Sequence, residues 1–210
     1  MINRVWDVCI EALSPDKVYV ATDDDRIRSH CENSGIQVLI TPSTCLTGTD
    51  RIFEAAKQIE ADVYINVQGD EPLIKVEDIQ RSVDYALANP QHITSAACKI
   101  QSEADFRNPN VPKVTTDQNN RLLYMSRAAI PTSKSLGYAG ALKQVCIYNL
   151  PKEALLRFGN FEGKTPLEQI EDIEILRFLE LGYPVQIIEV TSSSIAVDTP
   201  EDLERVRKYF

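Results

Sequence analysis

A carboxylate with polar neighbours follows an apolar, β-branched run at INVQGDEPLI (65–74), which places Gln68, Gly69, Asp70 and Glu71 just past a predicted strand. Ligands of open α/β sheets usually bind at this end of the strands. Gly69 permits a close approach of the backbone, and carboxylate oxygens are ligands that Mg²⁺ prefers. Asp70 is therefore a candidate Mg²⁺ ligand, while an ordinary strand-to-helix turn built from Gly, Asp and Pro fits the same segment.

A second carboxylate, Asp198, lies far downstream between a short apolar run and a predicted helix. Together with Asp70 it would make a two-carboxylate metal site. On capping grounds alone, Asp198 is better explained as a residue at a helix start, because Thr199 suits the N-cap and Pro200 the first helical position. The metal interpretation requires the fold to bring the two carboxylates together.

Two further groups of residues could bind a substrate. Thr47, Gly48, Thr49 and Arg51 surround the start of a predicted helix, whose backbone amides could meet a base or a phosphate. A simple capping turn explains the same residues. Arg127 follows a predicted strand and could hold a carboxylate through two parallel hydrogen bonds, whereas many arginines are only solvated surface residues.

Other kinds of chemistry find little support. Asp23, Asp24 and Asp25 resemble a metal cluster, but after a strand they are better explained as a solvated turn and N-cap. They also lack the nucleophile motif and distant lysine of a metal-dependent phosphatase. His30 and His92 stand far from any cysteine or acidic pair at metal-ligand spacing, so zinc is unsupported. The sequence has no G-x-S-x-G, Walker A or G-x-G-x-x-G motif.

Length and composition indicate one α/β domain over 1–210, with 43% hydrophobic and 25% charged residues. The net charge of −9 repels phosphate backbones and acidic lipids, so we expect neither nucleic acid nor a membrane as a partner. The 5 cysteines have no C-x-x-C spacing, and the first residues lack the apolar run of a signal peptide. We therefore expect a reducing, cytoplasmic location.

The elements that must position these side chains alternate in the first half of the chain. Hydrophobic spacing predicts helices at 2–13, 25–34, 50–60 and 76–88, and strands at 17–22, 37–41, 62–67 and 92–97. This alternation is typical of a doubly wound, mostly parallel (Rossmann-like) sheet.

The second half predicts a small antiparallel excursion and further helices. The predicted strands are 111–117, 121–126, 143–149 and 185–190, and the predicted helices are 166–182 and the segment from Thr199 to the C-terminus. A doubly wound sheet normally begins with a strand whose following turn holds phosphates, whereas this chain opens on a helix. An absent first strand would explain that order.

Several blocks together resemble the 3-deoxy-manno-octulosonate cytidylyltransferases (CMP-Kdo synthetases) in order and spacing over nearly all of the chain. The blocks are VATDDDRI, TGTDR, INVQGDEPLI, LLYMSRAAIP, KQVCIY, PLEQIEDIEILR and VDTPEDLERVR. The resemblance implies that the anomeric hydroxyl of 3-deoxy-manno-octulosonate (Kdo) attacks the α-phosphorus of CTP. The products would be CMP-Kdo, for lipopolysaccharide synthesis, and pyrophosphate. It further implies Mg²⁺ held by Asp70 and Asp198, and a homodimer.

The same resemblance assigns roles to the remaining candidates. Arg127 becomes a catalytic residue that contacts the sugar acid. The nucleotide contacts around the cytidine are Thr47, Gly48, Thr49 and Arg51. The substrate contacts on the sugar side are Gln68, Lys134, Gln144, Tyr148 and Glu174.

Three positions depart from the family pattern. Gln144 replaces a substrate-side histidine, and Lys134 stands where a second arginine is usual. Ile175 stands where a glutamine commonly follows the acid matched by Glu174. Because each change alters hydrogen bonding near the sugar, a cytidylyltransferase for a related 2-keto sugar acid is an alternative.

The first residues match a point just after the family's IPARxxSxRxPGKPL strand and loop, which binds the CTP phosphates. We therefore expect this chain to lack that strand and loop and to turn over CTP very poorly. Restoring roughly 30 upstream residues, the length of a strand and loop in a βα unit, should recover activity. The other alternative is a non-catalytic, truncated remnant that acts as a partner subunit.

Overall fold

The computed structural model describes residues 1–191, 195–197 and 199–210. In these ranges the helices are α1 (Ile2–Ala12), α2 (Asp25–Asn33), α3 (Gly48–Ala56), α4 (Val76–Ala88), α5 (Glu103–Arg107), α6 (Lys152–Gly159), α7 (Pro166–Glu171), α8 (Ile175–Glu180) and α9 (Pro200–Arg207). The strands are β1 (Val20–Thr22), β2 (Val38–Ile40), β3 (Val63–Val67), β4 (Ile93–Lys99), β5 (Lys113–Thr116), β6 (Leu122–Ser126), β7 (Leu142–Pro151) and β8 (Val185–Glu189). No helix of these ranges is long and apolar enough to cross a bilayer.

The strands form two sheets. β1 and β2 make a parallel pair, with Val20 opposite Val38. The larger sheet has the order β6-β5-β7-β4-β8, and β3 also pairs with β7. β4 pairs along most of β7, so β5 and β3 share the opposite edge of β7, at residues 142–143 and 147–151 respectively. β7 is therefore the central strand of the larger sheet.

These pairings confirm the predicted α/β, Rossmann-like class but give it a larger antiparallel share than we predicted. β1 pairs parallel with β2, and β4 with β8, whereas β7 runs antiparallel to β3, β4 and β5. Hydrophobic patterns indicate where strands lie in the sequence but not which strands become neighbours. The prediction of an absent first strand stays a prediction.

The single helix predicted over 166–182 is wrong. Asp172 adopts a left-handed conformation with φ of 51°, which ends α7 before α8 begins. A capping box between Thr165 and Glu168 starts α7. The predicted apolar stripe is also not buried along its whole length, because Ile170 is 77% exposed while Leu176 is buried. The sequence analysis also missed the short helices α5 and α6.

The core covers both faces of the larger sheet. On β7, Tyr148 and Leu150 belong to the cluster that includes α6 and α8, and Val145 and Ile147 belong to the cluster beside α4. Because side chains alternate along a strand, Gln144 and Cys146 share the face of Tyr148. The register of β7 thus sets both the core and one wall of the site described next.

Candidate active site

A cleft of about 470 Å³ opens at the end of the larger sheet where β3 and β4 finish and β7 begins. This is the end of the sheet at which ligands of open α/β folds usually bind. The residues selected from the sequence that line it are Thr47, Gln68, Asp70, Arg127, Gln144, Tyr148 and Glu174. The structure therefore brings nucleotide-side and sugar-side candidates into one cleft.

The predicted nucleotide turn caps helix α3. The Asp50 N–H donates to Thr47 Oγ1 at 3.1 Å, and the Thr47 hydroxyl donates to Asp50 Oδ2 at 2.8 Å. Gly48 follows, and a Cβ at this position would lie 2.9 Å from Gln68 Nε2. A side chain at position 48 would therefore require the Gln68 amide to move from its position beside the turn.

Arg51 is predicted to contact the nucleotide, and in this structure its side chain contacts two protein residues. Its Nη1 donates to Thr41 Oγ1 at 2.6 Å, and its Nη2 pairs with Asp23 Oδ1 at 3.1 Å. It is not among the residues that line the cleft. In this structure Arg51 joins α3 to the segments that follow β1 and β2, and its role as a nucleotide contact stays a prediction.

Glu174 links the nucleotide turn to the sugar side. Its Oε2 accepts from the Thr49 N–H at 2.7 Å, and its Oε1 accepts from Gln68 Nε2 at 2.7 Å. Burial raises the pKa of Glu174 above its ordinary value, while the hydrogen bond from the Thr49 main-chain N–H opposes that shift. The carboxylate thus holds both partners and also lines the cleft.

Arg127 lines the cleft with a guanidinium group that main-chain carbonyls already hold. Its Nε donates to the carbonyl of Glu171 at 2.5 Å, Nη1 to Pro109 at 3.0 Å, and Nη2 to Asp172 at 3.0 Å. A guanidinium has five N–H groups, so these contacts orient the side chain and leave it capacity for another acceptor. Binding of a substrate carboxylate by Arg127 stays a prediction.

Glu171 and Lys113 support Arg127, and the sequence analysis missed both. Glu171 Oε2 accepts from the Arg127 main-chain N–H at 2.8 Å, and its Oε1 accepts from Ser126 Oγ at 2.7 Å. The buried Lys113 donates to the carbonyls of Arg127 at 2.6 Å and Asn108 at 2.9 Å. Burial lowers the pKa of Lys113. Glu171 lies in the PLEQIEDIEILR block, but its contacts join distant parts of the chain, so the block alone could not show them.

Alternate residues of β7 form a wall of the cleft. Gln144 Nε2 donates to the hydroxyl oxygen of Tyr148 at 2.9 Å. Between them lies Cys146, whose main-chain N–H donates to Glu71 Oε1 at 2.6 Å. Burial raises the pKa values of Cys146 and Tyr148 well above their ordinary values, so both are neutral at physiological pH. The sequence analysis placed Glu71 at the ligand-binding end of a strand but gave it no role, and it did not select Cys146.

The structure describes only one of the two predicted metal ligands. Asp70 lines the cleft, and its carbonyl accepts from the Val197 N–H at 2.9 Å. Asp198 lies outside the described residues. Within the described ranges, no group of three or more His, Cys, Asp or Glu residues could hold a metal ion. The Mg²⁺ site stays a prediction.

Lys134, predicted to contact the sugar acid, is exposed and is not among the residues that line the cleft. Three other basic residues do line it, namely Lys99, Lys143 and Arg205. They come from β4, β7 and α9, so no single motif could have identified them. With Arg127 they make four cations in a cleft that six carboxylates also line, so the lining has no net positive charge.

The comparisons with known proteins agree with one another. A family model described as Cytidylyltransferase matches residues 1–189. The 3-deoxy-manno-octulosonate cytidylyltransferase of Syntrophotalea carbinolica is 36% identical over 219 residues, covering 100% of this chain and 87% of that protein. The enzyme of the same name from Escherichia coli is 33% identical, covering 99% of this chain and 84% of that protein.

A solved structure extends the similarity to three dimensions. It is a CMP:2-keto-3-deoxy-manno-octonic acid synthetase complexed with CTP, with 31% sequence identity and a TM-score of 0.89. The match covers 99% of this chain and 86% of that chain. The chain therefore belongs to the cytidylyltransferase family, among the 3-deoxy-manno-octulosonate cytidylyltransferases.

Proposed function

We propose that this chain transfers CMP from CTP to the anomeric hydroxyl of Kdo and releases pyrophosphate. The observation that carries the proposal is the double contact of Glu174, which joins Thr49 on the nucleotide side to Gln68 on the sugar side of one cleft. A nucleotidyl transfer needs its two substrates next to each other and correctly oriented. Relatives named for this reaction cover the whole of this chain or nearly so.

In this proposal the chain's own side chains orient the substrates. The Thr47–Thr49 turn, at the N-terminus of α3, binds the cytidine. Arg127 binds the carboxylate of the sugar acid, because a guanidinium matches a carboxylate with two donors. Gln144 and Tyr148 supply neutral hydrogen-bonding groups for the sugar hydroxyls.

A Mg²⁺ ion held by Asp70 and Asp198 belongs to the same proposal. Two observations support it: Asp70 lines the cleft, and the segment just before Asp198 meets Asp70 through the Val197 hydrogen bond. Carboxylate oxygens are suitable donors for this ion. When bound, Mg²⁺ would neutralise charge at the phosphate and lower the pKa of the attacking hydroxyl.

The identity of the sugar acid is the part of the proposal with a competing candidate. Gln144 donates to Tyr148, and a glutamine offers a neutral amide where the family pattern has a histidine. This difference favours testing related 2-keto sugar acids beside Kdo. The substrate with the highest kcat/KM in a panel at fixed CTP identifies the natural class.

The location and assembly are proposed from weaker support. The cysteines are free thiols, which suits a reducing cytoplasm. The homodimer is proposed from the family resemblance alone. Light scattering at several protein concentrations tests it, and a mass of one chain throughout would contradict it.

The central experiment measures pyrophosphate release by the wild-type chain with CTP, Kdo and Mg²⁺. Reactions without Kdo, and with UTP or ATP in place of CTP, serve as controls. We expect slow release that requires both Kdo and CTP. A chain that neither binds CTP nor releases pyrophosphate would contradict the proposal and support the non-catalytic alternative.

A further inference from the structure

A buried ion-pair cluster joins helices α3, α7 and α8 behind the cleft. The Arg177 side chain on α8 is 0% exposed. Its Nε and Nη2 each donate to Glu168 at 2.6 Å, and its Nη1 donates to Asp50 Oδ1 at 2.8 Å. The guanidinium carbon also stacks over the Phe158 ring, 3.7 Å from its centroid. One cation thus holds an acid from each of two other helices.

Stability alone is a poor explanation for this cluster. Taking one cation and two acids out of water costs free energy, and well-packed apolar side chains often stabilise such a site as well or better. The cluster instead fixes orientation, because a guanidinium donates to carboxylates only in a narrow geometry. The role of the cluster therefore depends on which part of the fold it orients.

The cluster acts on the nucleotide turn through Asp50. The Asp50 Oδ2 that accepts from Arg177 Nη2 at 3.3 Å also accepts from the Thr47 hydroxyl at 2.8 Å. Thr47 lines the cleft, whereas neither Asp50 nor Arg177 does. Glu174, three residues before Arg177, meanwhile holds the Thr49 N–H. The α7–α8 segment therefore fixes the turn from two sides.

We infer that Arg177 is a positioning residue for the nucleotide, which holds the Thr47–Thr49 turn in its binding conformation through Asp50. The inference rests on the proposed function in one respect, the binding of cytidine by that turn. Arg177 touches no substrate itself. Its loss should weaken the use of CTP while leaving the sugar side, held by Arg127 and β7, nearly unchanged.

The test compares Arg177→Lys with Arg157→Lys, an exposed arginine on α6, as matched control. Lysine keeps the charge but cannot hold both acids in the fork geometry. We expect KM for CTP to rise about tenfold, with KM for Kdo and kcat within about twofold of wild type. A folded Arg177→Lys with an unchanged KM for CTP, or with both KM values raised equally, would overturn the inference.

Two further measurements cover the cases in which Arg177→Lys does not fold or activity cannot be measured. If Arg177→Lys does not fold, Asp50→Asn replaces it, because the amide removes one of the two acceptor oxygens and leaves Glu168 paired with Arg177. The same split between the two KM values is expected, and its absence overturns the inference. Amide hydrogen exchange over residues 46–52 provides a readout that needs no activity.

Exchange over residues 46–52 should be faster in the Arg177→Lys or Asp50→Asn chain than in Arg157→Lys, and equal rates would overturn the inference. If the wild-type chain releases no pyrophosphate at all, the proposed function fails. The exchange result still decides whether Arg177 fixes the turn. The failure of one claim is thereby distinguishable from the failure of the other.

Discussion

Glu174 and Gln68 lie 106 residues apart in the sequence, and their side chains meet at 2.7 Å, with the Gln68 amide donating to the Glu174 carboxylate. The contact passes beside Gly48, whose missing side chain leaves the space that the amide occupies. Helix α3, the end of β3 and the α7–α8 segment therefore converge on one point. The predictions that follow test that convergence and the elements that support it.

Gly48→Ala should displace Gln68, because the new Cβ would lie 2.9 Å from Gln68 Nε2. We expect kcat/KM to fall about tenfold or more, since small misplacements in a site have large effects on rate. Steady-state kinetics with both substrates varied measure the effect. Gly137→Ala, outside the cleft, is the control. Equal kinetics for the two variants would contradict the role given to Gly48.

Glu174→Gln should alter the pH dependence of stability. Burial raises the folded-state pKa of Glu174 above 4.5, so the protonated form is favoured in the folded chain. The stability from this group is present below the unfolded pKa and is lost as pH rises through the folded pKa. Relative to wild type, the variant should therefore gain stability with pH in that window. One proton limits the slope to about 1.4 kcal/mol per pH unit.

Urea unfolding of wild type and Glu174→Gln at several pH values from 4 upward measures this difference directly. Comparing the two chains cancels the contributions of the other carboxylates. A difference in unfolding free energy that does not change with pH would show that burial does not perturb Glu174 in this way.

Arg127→Lys should reduce the use of the sugar acid. Lysine cannot reproduce the three hydrogen bonds to the carbonyls of Glu171, Pro109 and Asp172. We expect kcat/KM for Kdo to fall on the order of 100-fold, because both the orientation and the carboxylate contact are lost. KM for CTP should change much less. Arg28→Lys, an exposed residue of α2, should behave as wild type.

Asp70→Asn should abolish Mg²⁺-dependent turnover while leaving the fold intact, with a loss on the order of 100-fold or more in kcat. The matched control is Asp84→Asn, an exposed position on α4. Titration of Mg²⁺ against pyrophosphate release, together with thermal unfolding, separates activity from stability. An unaffected rate would remove Asp70 from the proposed metal site.

Gly159→Ala should destabilise the packing of α6 against α3. A Cβ at Gly159 would lie 2.1 Å from the Phe53 ring, so one of the helices must shift. Overpacking of this kind typically costs about 1–3 kcal/mol of unfolding free energy. In a Phe53→Ala background, which removes the ring atoms nearest the new Cβ, Gly159→Ala should cost less unfolding free energy than in the wild type. If the two substitutions are simply additive in urea unfolding, the predicted clash is absent.

Local periodicity was enough to predict the helices α1 to α4 and the strands between them. It failed at Asp172, because a left-handed residue interrupts a pattern of apolar residues that otherwise continues. It also could not show that β7 lies between β3 and β4, since pairing partners are not encoded in the alternation of a single strand. The α/β class could therefore be predicted from the sequence. Which strands are neighbours, and whether they run parallel or antiparallel, could not.

Some residues of the candidate site could likewise be selected from the sequence, and others could not. Motif residues such as Gln68, Arg127 and Glu174 could be selected because they follow predicted strands or match family blocks. Arg177 and Asp50 also lie in family blocks, but their role could not be assigned, because their contact spans 127 residues and depends on how α3 meets α8. The blocks contain ligand contacts and supporting residues alike, and the folded structure is needed to tell them apart.

The position of β7 makes the site intolerant of a change in length. Deleting one residue between Ile147 and Leu150, where the pairing with β3 is regular, would exchange the inward and outward faces over the part of the strand before the deletion. Gln144 and its neighbours would turn away from the cleft, while the pairing with β4 would lose its match. A length change there would therefore disable the site and the core together, so length variation among active relatives should fall in loops outside this strand.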